Sequence, residues 1–182
     1  MRRMRRALVL ILCATLSVLA LAQAKPSQTV QTFFALLKGQ QYAKLHELLP
    51  SQMQAQISRE QLAANLKRIE GFLTLERMQV GRVQEKGEFA VVDTTIFGKL
   101  KQPMNFNGQS ISEGRIVTQQ YLFKENGQWK VVSADESARG FFLKRNPQFN
   151  QQFQLSKPQL AFKRDGQWQS LQPGRKPEAR LQ

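Results

Sequence analysis

The apolar residues of this chain change their spacing at Phe72, and this change constrains the fold more than any other feature. Before that point they recur every three or four residues, as on one stripe of a helix that opens near Ser27 and stops at Gly39: Val30, Phe33, Phe34 and Leu37. After it they alternate with polar residues over 73–84 and 88–97, the pattern of half-buried strands. Helices followed by antiparallel strands predict an α+β protein.

Two more helices are predicted before the strands begin. The first is short, ends at Pro50, and has one apolar face: Tyr42, Leu45, Leu48 and Leu49. The second opens with Ser-Arg-Glu-Gln at 58–61, a capping box in which the serine and glutamine side chains bond backbone amides of the first turn. Its apolar positions are Leu62, Leu66 and Ile69, and Gly71 is expected to close it. The expectation is therefore three N-terminal helices.

A short motif occurs twice in the second half of the chain. YLFKENGQWKVV at 121–132 nearly recurs as LAFKRDGQWQSL at 160–171, whereas the flanking sequences differ. In each copy Asn-Gly or Asp-Gly tolerates the positive φ of a type I′ turn, which predicts a hairpin rather than a duplicated domain. A two-residue turn at Asn126-Gly127 would pair Lys124 with Trp129. The second turn, at Asp165-Gly166, predicts an extra β-hairpin that covers an edge or a face of the sheet.

The connection between Gly98 and Gly114 has two interpretations. It is either a flexible loop or an extended, bent hairpin that turns at Asn107-Gly108, with Pro103 restricted to an edge or a bulge. The extended, bent hairpin is the favoured interpretation.

The helical stretch TVQTFFALLKGQQYAKLHELL at 29–49, the switch to strands, and the hairpin YLFKENGQWKVV together resemble the nuclear-transport-factor-like superfamily. This superfamily includes ketosteroid isomerases and SnoaL-type polyketide cyclases. The resemblance covers about residues 27–135 and implies a cystatin-like cone, a curved antiparallel sheet wrapped over the first helix with a pocket at its open end. We therefore expect a cone domain at 25–136 and a C-terminal extension at 137–182, with a hairpin and a frayed basic tail.

The first 24 residues have the pattern of a signal peptide. Four arginines at positions 2, 3, 5 and 6 precede the apolar run Ala7 to Ala22, and Ala22-Gln23-Ala24 fits a cleavage site. The prediction is a protein of the periplasm or the cell exterior that starts at Lys25; the alternative is an uncleaved anchor. The single cysteine, Cys13, lies inside this segment, so no disulfide is expected.

The chain is strongly basic, with a formal charge of +14. Without the four early arginines, 23 Lys and Arg remain against 13 Asp and Glu, a balance of +10. Such a charge favours anionic partners such as phospholipid surfaces or polysaccharides, although an evenly solvated surface is the simpler interpretation. After the first 24 residues no run of Lys and Arg exceeds two, so no specific nucleic-acid site is expected.

Few residues of the chain are suited to catalysis. There is one histidine, His46, which is interpreted as an ordinary half-exposed helix residue, and there is no Gly-rich phosphate loop or Gly-x-Ser-x-Gly elbow. No metal or cofactor is expected. Asp93 shares a strand face with Val91 and Phe97, so on the inner side of a cone it would be desolvated and suited to act as a general base.

The family resemblance gives Asp93 a role, because ketosteroid isomerases pair an aspartate base with hydroxyl donors. Tyr42 and Tyr121, the two tyrosines of the chain, are the candidate donors. The competing interpretation is that Asp93 faces solvent or pairs with one of the many lysines and arginines.

The residues expected to line an apolar ligand site lie on the first helix and the sheet: Phe33, Phe34, Leu37, Phe97 and Trp129. Trp129 and Trp168 alternatively pack against the stems of Lys124 and Lys163 across their hairpins. The phenylalanines of the extension form either a binding patch or staples that close the extension over the sheet: Phe141, Phe142, Phe149 and Phe153.

Three functions are compatible with these features. The leading hypothesis is an exported, non-catalytic domain that binds a small apolar ligand or an envelope protein. The alternatives are an isomerase- or cyclase-type enzyme that uses Asp93 without a cofactor, and a binder of anionic envelope polymers. A homodimer formed through the sheet is a further expectation.

Overall fold

The structure, a computed structural model, describes residues 24–106 and 109–171. The chain is an α+β protein in which helices precede a six-stranded antiparallel sheet and two further helices are inserted before its last two strands. The helices in these ranges are α1 Pro26–Lys38, α2 Tyr42–Glu47, α3 Ser51–Gln54, α4 Arg59–Phe72, α5 Glu136–Arg145 and α6 Pro147–Gln152. The strands are β1 Leu73–Lys86, β2 Phe89–Phe106, β3 Gln109–Glu125, β4 Gln128–Val132, β5 Gln159–Arg164 and β6 Gln167–Leu171.

The predicted signal peptide and the predicted frayed tail fall mainly on residues 1–23 and 172–182, which lie outside the described ranges. No helix within these ranges combines the length and the apolar character needed to cross a membrane.

The helix boundaries follow the local sequence signals with two corrections. The capping box is confirmed, since the Ser58 backbone amide donates to Gln61 Oε1 at 2.9 Å and Ser58 Oγ accepts from the Gln61 amide at 3.2 Å. The expectation of three helices was wrong, because the four-residue α3 forms directly after Pro50. Gly71 does not end α4, which continues to Phe72 and passes into β1 without a loop.

The long strand β3 is the centre of the sheet. Its one edge pairs with β2, which in turn pairs with β1. Its other edge is shared by two short strands placed end to end, with β5 against Gly114–Val117 and β4 against Tyr121–Glu125. Between them β3 residues 118–120 have no strand partner on this edge, and the buried Arg139 of α5 donates a hydrogen bond to the Gln119 carbonyl there.

Both copies of the repeated motif are hairpins with the same turn. Asn126 and Gly127 have φ of 49° and 78°, and Asp165 and Gly166 have φ of 48° and 78°. The predicted pairing of Lys124 with Trp129 is confirmed, and the second hairpin covers an edge of β3.

The connection from Gly98 to Gly114 is largely strand. The arms of β2 and β3 extend to Phe106 and Gln109, with a register shift between Lys99 and Met104. The predicted turn at 107–108 lies outside the described residues.

The sheet is buried on both faces near the β3–β4 hairpin. On the side that we call the α1 face, Val30 of α1 packs on sheet residues: Ala90, Val92, Leu122, Trp129 and Val131. On the opposite side, the α5 face, helices α5 and α6 pack their phenylalanines on Phe89, Val91 and Tyr121. The staple interpretation is confirmed for Phe142, Phe149 and Phe153, which are at most 4 % exposed.

Candidate functional site

Asp93 lies on the α5 face, opposite the side on which α1 packs. Phe89 and Val91, which lie on the same face of β2 as Asp93, belong to the cluster under α5 and α6. Ala90 and Val92, on the other face, lie under α1. Its Oδ2 is 3.3 Å from Arg82 Nε, and its Oδ1 accepts from Gln119 Nε2 at 3.1 Å. The structure therefore contains the competing interpretation, in which Asp93 pairs with an arginine, and Asp93 does not lie on the face that α1 covers.

The two candidate hydroxyl donors are not arranged with Asp93 as a catalytic pair. Tyr121 is a diagonal neighbour of Asp93 on the same face, but it is 5 % exposed beneath Phe149 and Arg139. Tyr42 lies on α2, where burial, and secondly the Glu70 carboxylate on α4, raise its pKa to about 12. A buried phenol with this pKa keeps its proton at neutral pH, and its neighbours differ from those of Asp93.

The space between α1 and the sheet is filled by side chains. Trp129 is 5 % exposed in this core, and Phe33 packs against the clusters on both faces. Phe34 and Leu37 are half-buried on α1 outside these clusters, while Phe97 lies on the other face of the sheet. The five residues expected to line one apolar pocket are therefore not brought together.

Two open depressions lie elsewhere on the described surface. One, of about 640 Å³, lies between α2 and α4 beside Tyr42. The other, of about 580 Å³, lies over the middle of the sheet and is lined by Gln79, Gly81, Asp93, Thr95 and Val117, among others.

Next to the second depression lies a group of stacked side chains that we call the Arg–aromatic cluster, formed by Arg77, Phe97, Arg115 and Trp168. The Arg77 guanidinium carbon is 3.5 Å from the centre of the Phe97 ring. The Phe97 and Trp168 rings meet edge to face, with centroids 5.7 Å apart. The Arg115 guanidinium carbon lies 4.8 Å from the centre of the Trp168 ring. Cation–π attraction and ring packing therefore join the four side chains into one layer.

Strand register places these residues together. Arg77 of β1 is opposite Phe97 of β2, and Phe97 is opposite Arg115 of β3, so all three share the α5 face. Arg115 is opposite Ala161 of β5, whose small side chain leaves room for Trp168 of β6 to reach back across β5. Phe97, covered from both sides, is 6 % exposed.

The charges around the cluster are only partly compensated. Lys99 Nζ is 2.8 Å from Glu76, which raises the pKa of Lys99, and Lys163 Nζ is 3.1 Å from Glu113. Arg77 and Arg115 have no carboxylate of the described residues within 4 Å. The Arg115 Nε is buried and has no hydrogen-bond partner among those residues. Two guanidinium charges are thus held in place without a carboxylate counterion from residues 24–106 and 109–171.

The sequence predicted one of the two cation–tryptophan contacts correctly. The prediction that a lysine covers each tryptophan is confirmed for Lys124, which lies 4.7 Å from the Trp129 ring centre. Lys163 is opposite Trp168 in the strand pair, but the cation over that ring is Arg115. Arg115 was missed because strands that are distant in the chain bring it next to Trp168. Arg77 was missed because register shifts in the β1–β2 hairpin decide which residue of β1 lies opposite Phe97. The signal for both in the sequence is an arginine on each strand that neighbours β2.

His46 is buried rather than half-exposed, at 8 % exposure, with its Nε2 2.8 Å from the Ile57 carbonyl oxygen. It therefore ties α2 to the segment before α4. No group of three or more potential metal-ligating side chains occurs among residues 24–106 and 109–171.

Comparison with known proteins gives weak similarities. No family model matches the chain, and no curated protein is significantly similar to it. Among solved structures, a SEC-C motif containing protein from Rhodopseudomonas palustris matches with a TM-score of 0.43 and 14 % identity, over 58 % of this chain and 73 % of that chain. A function-unknown protein from Mycobacterium tuberculosis matches with a TM-score of 0.36 and 13 % identity, over 71 % of this chain and 92 % of that chain. At these scores neither similarity supports an inference about this chain.

Proposed function

We propose that this protein is a non-catalytic binding domain of the bacterial envelope that binds anionic partners through the Arg–aromatic cluster. The observation that carries the proposal is the pair of stacked guanidiniums, Arg77 and Arg115, without a carboxylate counterion in the described chain. Export is proposed from the arginine-rich start, the apolar run and the cleavage site within residues 1–24. The charge of +10 that remains from Lys25 onward acts in the same direction by attracting anions to the surface.

The chemistry of the cluster favours carboxylate or phosphate groups as ligands. A guanidinium presents a planar fork of N–H donors that bonds two oxygens of such a group at once. Stacking on Phe97 and Trp168 fixes the orientation of the two forks, so less side-chain entropy is lost on binding. The adjacent depression over Thr95 and Val117 has room for the body of a ligand. A polymer with repeated acidic groups would reach both arginines at once.

We also propose that residues 25–136 form a nuclear-transport-factor-like cone, with 137–182 as an extension. The order of helices, long strands and closing β3–β4 hairpin supports this assignment. The packed interior between α1 and the sheet favours binding on the surface over binding of an apolar molecule inside the cone. The enzyme alternative loses support because Asp93 is paired with Arg82 and Tyr121 is covered.

The proposal is tested with polygalacturonate, a soluble polycarboxylate, by isothermal titration calorimetry of the chain from Lys25. We expect binding that weakens as salt increases, because the contacts are ionic. In the double variant Arg77→Gln/Arg115→Gln the affinity should fall about a hundredfold or more, since each of the two charge-assisted contacts contributes roughly 1.5–3 kcal/mol.

The matched control is Arg59→Gln combined with Arg164→Gln, which removes the same charge from arginines outside the cluster. Both have carboxylate neighbours, Glu47 and Asp165. If this control lowers the affinity as much as the cluster variant, binding depends on total charge and the assignment of the cluster is wrong.

A further inference from the structure

The C-terminal end of α4 exposes large apolar side chains to solvent. Ile69 is 54 % exposed and Phe72 is 71 % exposed, and α4 buries none of its residues fully. Leu66 and Leu62, which lie one and two turns earlier on the same side of the helix as Ile69, are half-buried. The apolar stripe of α4 is therefore partly covered over its first turns and exposed to solvent at its last turn.

A third exposed apolar residue lies at the same end of the sheet. Helix α4 runs into β1 without a loop, and the first residue of β1, Leu73, pairs with Leu100 of β2. Beyond Leu100 the β2–β3 arm continues past the start of β1, and it carries Met104, which is 56 % exposed. We call this end of the molecule, with Ile69, Phe72 and Met104, the apolar end.

Exposed basic residues lie beside the apolar end, together with one half-buried carboxylate, Glu70, which is close to Tyr42. Lys67 and Arg68 precede Ile69 on α4, and Lys101 lies at the base of the arm; all three are exposed. None has a carboxylate of the described residues within 4 Å. Exposed apolar side chains bordered by uncompensated cations are typical of surfaces that dock on anionic membranes, where rings enter the acyl boundary and cations meet headgroups.

We propose that the apolar end docks on a lipid surface with anionic headgroups, a function beyond anion binding at the Arg–aromatic cluster. Charge complementarity selects this occupant, because the exposed cations beside it and the net charge of +10 from Lys25 onward both favour a dense negative surface. Phe72 and Ile69 enter the acyl boundary of the lipid layer. Lys67, Arg68 and Lys101 contact the headgroups, so that binding depends on anionic lipid. Docking is peripheral, and the rest of the domain stays in water.

The test is flotation of the chain from Lys25 with vesicles of phosphatidylglycerol and phosphatidylcholine, compared with vesicles of phosphatidylcholine alone. We expect binding to the anionic vesicles only. Ile69→Ser/Phe72→Ser should weaken it about tenfold or more, because burial of a large apolar side chain contributes at least that factor. Lys67→Gln/Arg68→Gln should weaken it about fivefold for each charge. Val83→Ser, an exposed apolar residue near the other end of β1, is the matched control and should leave binding unchanged.

Circular dichroism of each variant checks that it is folded, which we expect because the substituted side chains are exposed. Equal binding of wild type and Ile69→Ser/Phe72→Ser, or no binding to anionic vesicles, would overturn the proposal. Polygalacturonate binding that depends on Arg77 and Arg115 but is accompanied by no vesicle binding would leave the proposed function standing and reject the docking surface. Vesicle binding without polygalacturonate binding would reject the proposed function and leave the docking surface standing.

Discussion

The two hairpins with the Gly-Gln-Trp motif have the same turn and use their tryptophans in different ways. Trp129 is 5 % exposed and packs on the α1 face in the same cluster as Val30 and Leu122. Trp168 is half-buried on the opposite face, between Phe97 and Arg115. The first tryptophan belongs to the core and the second to a surface that carries uncompensated charge.

The difference arises from how each hairpin meets the sheet. In the first copy the Phe-Lys strand is β3 itself, and its Phe123 lies on the α5 face. In the second copy the Phe-Lys strand is β5, in which Phe162 is opposite Gly114 and so lies on the α1 face. Because side chains alternate along a strand, this register moves Trp168 to the α5 face. A local motif therefore determines the hairpin, and its register against the sheet determines what the tryptophan does.

The largest expected effect is on stability. Trp129→Ala should lower the free energy of unfolding by about 3–5 kcal/mol, the range for removing a large aromatic side chain from a core. Trp168→Ala should cost about 1–2 kcal/mol, because that ring is half-buried and packs mainly through cation–π and edge contacts. Urea denaturation of both variants measures the difference. Equal losses of unfolding free energy in the two variants would contradict the assignment of Trp129 to the core and Trp168 to the surface.

The next effect concerns the gap on β3 between the two hairpins. Arg139 fills it, with its guanidinium 4.5 Å from the Tyr121 ring centre and bonded to the Gln119 carbonyl. Burial lowers the pKa of Arg139 from its usual value, but an arginine remains charged at neutral pH. Arg139→Met should destabilise the fold by about 2 kcal/mol, because a buried carbonyl loses a charged donor. Hydrogen exchange should locate the loss at residues 118–120; unchanged protection there would contradict this role.

A smaller loss of stability is expected when the glycines of the two turns are replaced. Gly127 and Gly166 both have φ of 78°, so alanine at either position is strained by roughly 1 kcal/mol. Gly127→Ala should lower the stability of the whole domain, because β4 contributes to the α1-face core. Gly166→Ala should increase exchange mainly in β5 and β6. A global loss of protection in both variants would show that the second hairpin is part of the same cooperative unit.

The smallest effect is at the lysines of the motif. Lys124→Gln removes a cation 4.7 Å from the Trp129 ring and should cost about 0.5–1 kcal/mol. Lys163→Gln removes a partly exposed ion pair with Glu113 and should cost about 0–1 kcal/mol. Thermal unfolding of the two variants provides the comparison. A larger loss for Lys163→Gln would indicate that this lysine, rather than Arg115, supports Trp168.

The sequence predicted features that depend on neighbouring residues. The change of period at Phe72, the capping box at Ser58 and the register of Lys124 against Trp129 all follow from a few adjacent side chains. The residues that share a face with Asp93 were predicted from alternation, but whether α1 covers that face was left open, since alternation does not tell which face a helix covers. The pairing of Arg77 with Phe97 was missed because register shifts along the β1–β2 hairpin, one of them between Val80 and Val83, decide which residues lie opposite each other.

Because the chain contains two tryptophans, each can be observed alone. The most direct test of the account is the fluorescence of Trp168→Phe and Trp129→Phe during titration with polygalacturonate. We expect blue-shifted emission from Trp129, resistant to iodide quenching and unchanged by the polymer. We expect the polymer to change the emission of Trp168, and iodide to quench it before the polymer binds. A polymer-dependent change in Trp129, or none in Trp168, would contradict the assignment of the second tryptophan to the binding surface.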